Sequence, residues 1–222
     1  MTRRSTRTLL RCGAAAGPLF VATFLAEGAL RPGYDPLRHP VSSLALGPRG
    51  WVHVANFATA GALYLAGAVG LARTRDDALC SRVGPVLVGA AAVGLLGSAA
   101  FPTDPVSGYP QGTPDVPAEP TPAGVVHDLS GVATFLGIPA AALVYARSQL
   151  RGGRPRWAAC SGGTALTMLA TFVGSGAAFN QAPSVVRVGG LLQRASIAIG
   201  FSWLTALCAA ALVRREGPRT PA

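Results

Sequence analysis

Residues 31–53 read RPGYDPLRHPVSSLALGPRGWVH, and this polar stretch separates two apolar segments at 12–30 and 51–72. It contains two of the three histidines in the chain, together with several charged side chains. Each flanking segment is long enough to cross a hydrocarbon core about 30 Å thick as a helix. The pattern therefore predicts two membrane-spanning helices joined by a polar loop.

The rest of the chain repeats this pattern. Four further apolar segments lie at 83–101, 125–145, 157–179 and 188–213, and none alternates in the way of a β-barrel strand. Only 13% of the residues are charged, whereas a soluble domain has about 25%. We predict an all-α polytopic membrane protein, a bundle of six transmembrane helices in a lipid bilayer.

The arginines predict the orientation. All 19 basic residues are arginines, and 14 of them fall in the segments 1–11, 73–82, 146–156 and 214–222. Cytoplasmic loops of membrane proteins are enriched in basic residues. The sequence therefore predicts a cytoplasmic arm at 1–11, a membrane domain at 12–213, a cytoplasmic tail at 214–222 and a location in the plasma membrane. The first apolar segment exceeds the usual signal-peptide core of about 7–15 residues, so we expect an uncleaved helix.

Composition also bears on partners and cofactors. The net charge of +10 comes from arginines that flank apolar runs, which indicates orientation and not nucleic-acid binding. The cysteines, at 12, 80, 160 and 208, match no zinc motif and lie near predicted cytoplasmic ends, so we expect no disulfide. We find no signal for haem or for a nucleotide, and the oligomeric state is not indicated.

Glycines and prolines predict packing and loop structure. Gly13 and Gly17 form a GxxxG motif, and Gly89, Gly94 and Gly97 punctuate the third segment, a pattern typical of closely packed membrane helices. The connection 102–124 contains seven prolines, which favour extended backbone. A loop of that length is usually either a functional lid or disordered.

Polar side chains recur at the predicted outer ends of the helices. Ionisable groups inside a membrane are costly, so each is a candidate functional residue. The predicted cytoplasmic halves have no comparable set. We therefore predict a polar pocket that opens outward, and its candidate lining is Asp35, Arg38, His39, His53, Asn56, Asp104, His127, Asp128, Gln193 and Arg194.

Structural roles would explain some of these charges equally well. A charge in a medium of low dielectric constant needs a partner. Glu27, near the end of the first segment, is expected to pair with Arg194 across the bundle, and Arg31 is a local alternative partner.

Other members of the set also have structural interpretations. His127 or Asp128 would cap the fourth helix. His53 would extend to water from the membrane interface. His39, which precedes a proline, would only shape a turn.

Two kinds of catalysis remain open for the same residues. Imidazole and carboxylate ligands suit a divalent metal ion that activates water, and the candidate ligands are His39, Asp104, His127 and Asp128. A metal-free site would use Glu27 or Asp128 as a general acid or base. No short ligand spacing supports the metal site.

Several motifs resemble those of a known family: the loop from 31 to 51, FPTDP at 101–105, VHDLSG at 126–131 and GLLQR at 190–194. The family is an uncharacterised prokaryotic group of six-helix integral membrane proteins, domain of unknown function 998. The resemblance covers about 12–213 and implies a six-helix membrane fold, but no activity. It supports one shared site comprising Asp35, His39, Asp104, His127, Asp128 and Arg194.

The sequence thus leaves two classes of function open. In the first, which we favour, the protein binds or moves a small amphiphile through a polar pocket on the extracytoplasmic side. The alternative is a membrane-embedded enzyme, either a metal-dependent hydrolase or an acid–base catalyst, that acts on a lipid-like substrate.

Overall fold

The chain folds into six α-helices. The computed structural model describes residues 3–74, 79 and 81–214. The helices are α1 (Arg3–Leu30), α2 (Gly50–Ala72), α3 (Val83–Ala100), α4 (Pro122–Arg151), α5 (Pro155–Phe179) and α6 (Gly189–Arg214). Across those described ranges there is no β-strand, only an isolated bridge between Val106 and Tyr109. The predicted all-α fold is confirmed.

All six helices are long and apolar enough to cross a membrane. An α-helix satisfies all of its backbone hydrogen bonds within one segment, as a chain in lipid requires. The six helices therefore indicate a multi-pass membrane protein. Residues 3–11, which the sequence assigned to a separate arm, are the first part of α1 in the structure. The fourth helix also extends past the predicted span of 125–145 at both ends.

The six helices form a ring. Each helix packs against the next one along the chain, and α6 packs against α1. The connections 31–49, 101–121 and 180–188 lie together at what we call the long-loop end of the bundle. The start of α1 and the end of α6 both lie at the opposite, short-loop end. Placing the short-loop end in the cytoplasm remains a prediction from the arginines.

Two glycines allow α1 and α2 to touch through their backbones. A Cβ atom on Gly13 would lie 2.9 Å from the Cα of Gly67 and 2.7 Å from the Sγ of Cys208. No larger residue fits at this crossing unless the helices move apart. Close approach of this kind increases van der Waals contact, which holds helices together in lipid. Here α1, α2 and α6 leave no space between them.

Buried polar groups are also present at the short-loop end, where the sequence predicted none comparable to the outer set. Ser161 donates a hydrogen bond to Oε1 of Gln149 at 2.8 Å, and the indole of Trp203 donates to Ser161 Oγ at 2.9 Å. All three residues are buried. This network contains no ionisable group, unlike the outer set, and the hydropathy does not reveal it because uncharged polar residues within apolar runs barely change that average. The network links α4, α5 and α6.

Three of the four cysteines are described, and Cys12, Cys160 and Cys208 are free thiols. Cys208 is buried at the crossing of α1, α2 and α6, whereas Cys160 is exposed. Cys80 lies outside the described residues.

Candidate functional site

The loop 31–49 is held on the bundle by Arg31. This buried guanidinium donates to the backbone oxygens of Leu46 at 2.8 Å and Leu44 at 3.0 Å. It also forms an ion pair with Glu27 at 2.8 Å. Charge-assisted hydrogen bonds of this kind are about twice as strong as neutral ones. Arg31 therefore fixes the loop to the end of α1.

Glu27 has two arginine partners, and neither is Arg194. Its second oxygen accepts from Arg49 at 2.6 Å, while the first accepts from Arg31. The pairing expected between Glu27 and Arg194 is therefore wrong, and the local alternative, Arg31, is confirmed. Glu27 pairs with Arg49 because the loop 31–49 folds back over the end of α1 and brings Arg49 to the carboxylate. With both oxygens in ion pairs and the side chain buried, Glu27 is not placed to act as a catalytic base.

Arg194 holds the other half of the same loop. Its Nη1 donates to the backbone oxygen of Pro36 at 2.5 Å, and its Nη2 donates to the hydroxyl of Tyr34. The guanidinium lies 5.3 Å from the ring centre of Tyr34 and 5.8 Å from that of Phe24, distances typical of cation–π contacts. Burial raises the pKa of Tyr34 to about 12 although Arg194 opposes this effect. The hydroxyl therefore stays protonated and donates to Pro40 O at 2.9 Å.

His39 connects the two long loops. Its Nδ1 accepts a hydrogen bond from the backbone N–H of Asp35 at 2.8 Å, as the turn-shaping interpretation requires. Its ring lies 5.1 Å from that of Tyr109 in the loop 101–121. Burial lowers the pKa of His39 below its usual value, and Asp35 partly offsets this effect. His39 is therefore neutral at pH 7.

The proline-rich connection folds over the end of the bundle. Arg38 and Asp115 form an ion pair at 2.5 Å between the two long loops. Asp104 accepts hydrogen bonds from the backbone N–H and the hydroxyl of Thr121, at 2.8 and 2.7 Å. These contacts give 101–121 a defined path without helix or strand.

The start of α4 is capped by Thr121, whose hydroxyl accepts from the N–H of Gly124 at 3.0 Å. The expected capping by His127 or Asp128 is therefore wrong, because the helix begins one and a half turns before these residues. The Nδ1 of His127 bonds to the carbonyl of Phe101 at 2.8 Å. A carbonyl only accepts, so Nδ1 carries the proton and Nε2 is left as an acceptor.

His53 lies in an apolar environment. It is fully buried, its ring is 4.6 Å from that of Phe57 and 5.5 Å from that of Phe20, and neither ring nitrogen has a hydrogen-bond partner within the described part of the chain. The expectation that His53 reaches water at the interface is wrong. Its neighbour Asn56 donates to the carbonyl of Phe20 at 3.1 Å, which joins α2 to α1.

A cavity of about 450 Å³ opens inside the ring at the long-loop end, and all six helices contribute to its lining. Five phenylalanines from different helices form its deep part, which we call the aromatic floor: Phe20, Phe57, Phe135, Phe172 and Phe201. The rings of Phe135 and Phe172 stack at 4.5 Å, and those of Phe20 and Phe201 lie 5.2 Å apart.

Polar groups lie nearer the helix ends and form what we call the polar rim: Asp104, His127, Asp128, Asn180 and Gln193. Gln193 also accepts from the backbone N–H of Val41 at 2.7 Å. Val106, Val116 and Pro117 of the proline-rich loop cover the cavity from above. The cavity is therefore apolar at depth and polar at its mouth.

The structure divides the predicted site residues into two groups. Asp104, His127, Asp128 and Gln193 line the cavity. The others fix the loop or pack around the cavity: Asp35, Arg38, His39, His53, Asn56 and Arg194. Sequence reasoning missed the aromatic floor, because a phenylalanine facing a cavity has the same hydropathy as one facing lipid.

The proposed metal ligands do not form a compact cluster. Over residues 3–74, 79 and 81–214 there is no group of three or more His, Cys, Asp or Glu side chains that could hold a metal ion. Nδ1 of His39 and both oxygens of Asp104 already accept hydrogen bonds from protein groups.

Fold and site together define a polytopic membrane protein with six helices. The chain belongs to the family described as "Protein of unknown function (DUF998)", whose sequence profile matches residues 14–210. No curated protein and no solved structure matches the chain.

Proposed function

We propose that this protein binds a small amphiphile, with its apolar part on the aromatic floor and its polar head at the rim. The observation that carries the proposal is the cavity, which combines five phenylalanines at depth with five polar residues at its mouth. Its volume of about 450 Å³ falls within the range of about 300–1,000 Å³ typical of ligand sites.

The chemistry of the rim favours a head group that donates hydrogen bonds. Asp104 and Asp128 contribute carboxylates, and Nε2 of His127 is an acceptor without a partner in the described chain. No arginine is among the described residues that line the cavity. An amine or a hydroxyl head is therefore favoured over an anionic phosphate, which two carboxylates would repel.

The cavity does not continue through the bundle. Beneath the aromatic floor, the backbones of Gly13 and Gly67 and the thiol of Cys208 fill the space between α1, α2 and α6. Transport across the membrane would require these helices to separate. The closed crossing therefore favours binding at one side over passage through the ring.

Substitution at Ile197 tests the proposal. Ile197 is buried and lines the cavity, so Ile197→Trp would fill space that the ligand needs. We expect the variant to bind dodecylamine at least tenfold more weakly than the natural protein in detergent micelles, measured by calorimetry. Leu166→Trp, at an exposed site on α5 outside the cavity, is the matched control. Equal affinities for all three proteins would contradict the proposal.

A membrane enzyme acting on a lipid-like substrate is the second candidate. The observation in its favour is the hydrogen bond between Nδ1 of His127 and Phe101 O, which leaves Nε2 of this cavity-lining residue as the ring atom available to a substrate beside Asp128, as a general base requires. The two functions differ in outcome, since an enzyme would release an altered amphiphile and a binding protein would return the same molecule.

A further inference from the structure

One seam of the helical ring is open beside the cavity. Two contacts fix the register of the antiparallel pair α4 and α5: the Phe135–Phe172 stack and the Gln149–Ser161 hydrogen bond. This register places Gly131 of α4 opposite Gly176 of α5, about one turn beyond the stacked rings toward the long-loop end. Both glycines line the cavity.

These glycines differ from those at the crossing of α1 and α2. A Cβ atom on Gly13 or Gly67 would meet the other helix at less than 3 Å, whereas a Cβ on Gly131 or on Gly176 would meet no atom within 4 Å. Small residues usually let membrane helices approach closely. At Gly131 and Gly176 they leave a gap instead.

The side chains around the gap have the polarity that an acyl chain and its head group require. Val132 lines the cavity and yet is 39% exposed, so it lies at the mouth, and Leu129 beside it is 64% exposed. Asp128 stands about one turn above Gly131, and His127 next to it is buried with Nε2 unpartnered among the described residues. A lipid beside the seam would thus meet apolar side chains at the level of Gly131 and hydrogen-bond acceptors about one turn nearer the long-loop end.

We propose that the seam between α4 and α5 at Gly131 and Gly176 is a lateral opening through which one acyl chain of a membrane lipid enters the cavity. This inference rests on the proposed amphiphile binding and identifies the ligand as a lipid with a hydroxyl or amine head. The chain lies on the aromatic floor, the head stays beside Asp128, and any second chain remains in the bilayer.

Substitutions that narrow the seam test this proposal. Gly131→Phe and Gly176→Phe would each place a ring in the gap, and Gly163→Phe is the matched control. Gly163 lies on α5 near the short-loop end, outside the cavity lining, and also has no atom within 4 Å of its Cβ position. Removing a helical glycine from open space does not destabilise the helix, so all three variants are expected to fold.

Two photoreactive probes separate the opening from the cavity itself. The first is a diacylglycerol with a diazirine in the middle of one acyl chain, held in phosphatidylcholine nanodiscs. The second is a six-carbon amine with a terminal diazirine, short enough to lie entirely inside the cavity. Mass spectrometry of peptides that contain Phe201 or Phe20 measures labelling of the aromatic floor.

We expect both probes to label the floor of the natural protein and of the Gly163→Phe control. In the Gly131→Phe and Gly176→Phe variants, the ratio of diacylglycerol labelling to amine labelling should fall at least tenfold relative to the Gly163→Phe control. An undiminished ratio in these variants would overturn the lateral opening and leave the proposed function intact. Absence of floor labelling by both probes in the natural protein would overturn both proposals, whereas labelling by the amine alone would overturn only the lateral opening.

Discussion

His53 shows how an individual residue can be costly where it lies. It is fully buried between Phe20 and Phe57, and neither ring nitrogen has a partner among the described residues. A buried polar group without a hydrogen bond costs about 1–3 kcal/mol. Asn56, one turn further along α2, is also buried, but it has a partner because its amide donates a hydrogen bond to Phe20 O.

Substitution of each residue by leucine should therefore change stability in opposite directions. We expect His53→Leu to raise the free energy of unfolding by about 1 kcal/mol, because an unsatisfied group is removed at similar volume. Asn56→Leu should lower the free energy by about 1 kcal/mol, because it removes the hydrogen bond that joins α2 to the carbonyl of Phe20. Denaturant titration in detergent micelles, followed by tryptophan fluorescence, measures both changes. A loss of stability in His53→Leu as large as in Asn56→Leu would show that His53 has a partner.

At the scale of elements, the two long loops are joined through His39. Protonation of Nδ1 would remove its hydrogen bond from the N–H of Asp35. Because burial lowers the pKa of His39 in the folded protein below the usual 6.5, the unfolded chain takes up the proton first. The stability that His39 contributes is thus present above pH 6.5 and is lost as the pH falls below it.

The melting temperature of the natural protein should accordingly decrease between pH 7 and pH 5. His39→Asn keeps an acceptor near the Nδ1 position and does not titrate in this range, so its melting temperature should change less over the same interval. Differential scanning fluorimetry in micelles measures both profiles. Parallel profiles for the two proteins would assign the pH dependence to other groups.

The elements also show where sequence reasoning succeeds. Six apolar runs of sufficient length predict the helices, because in lipid a helix needs only composition and length to be recognised. The sequence groups Asp104, His127 and Asp128 because each lies near the predicted outer end of an apolar segment, and all three line the cavity. The partners of Glu27 and Arg194 could not be assigned, because they depend on how 31–49 folds back and which carbonyls it presents. Hydropathy contains no information on that path.

For the whole molecule, the ring has one cavity end and one closed end, and function depends on which side of the membrane each faces. Ala118 is exposed at the long-loop end, and Gly152 is exposed at the short-loop end with φ −83, which a cysteine tolerates. With the four native cysteines replaced by alanine, Ala118→Cys and Gly152→Cys therefore report the two sides independently.

The arginine distribution, 14 of 19 in the segments assigned to the cytoplasm, gives a definite expectation. A membrane-impermeant maleimide should label Ala118→Cys in intact cells and Gly152→Cys only after permeabilisation. The reverse pattern would contradict the assignment, and equal labelling of both would indicate two orientations in the membrane. With the predicted orientation, the polar rim faces outward and the seam between α4 and α5 lies in the outer leaflet. The lipid that we propose as the ligand would then be drawn from that leaflet, because Gly13 and Gly67 close the ring beneath the cavity.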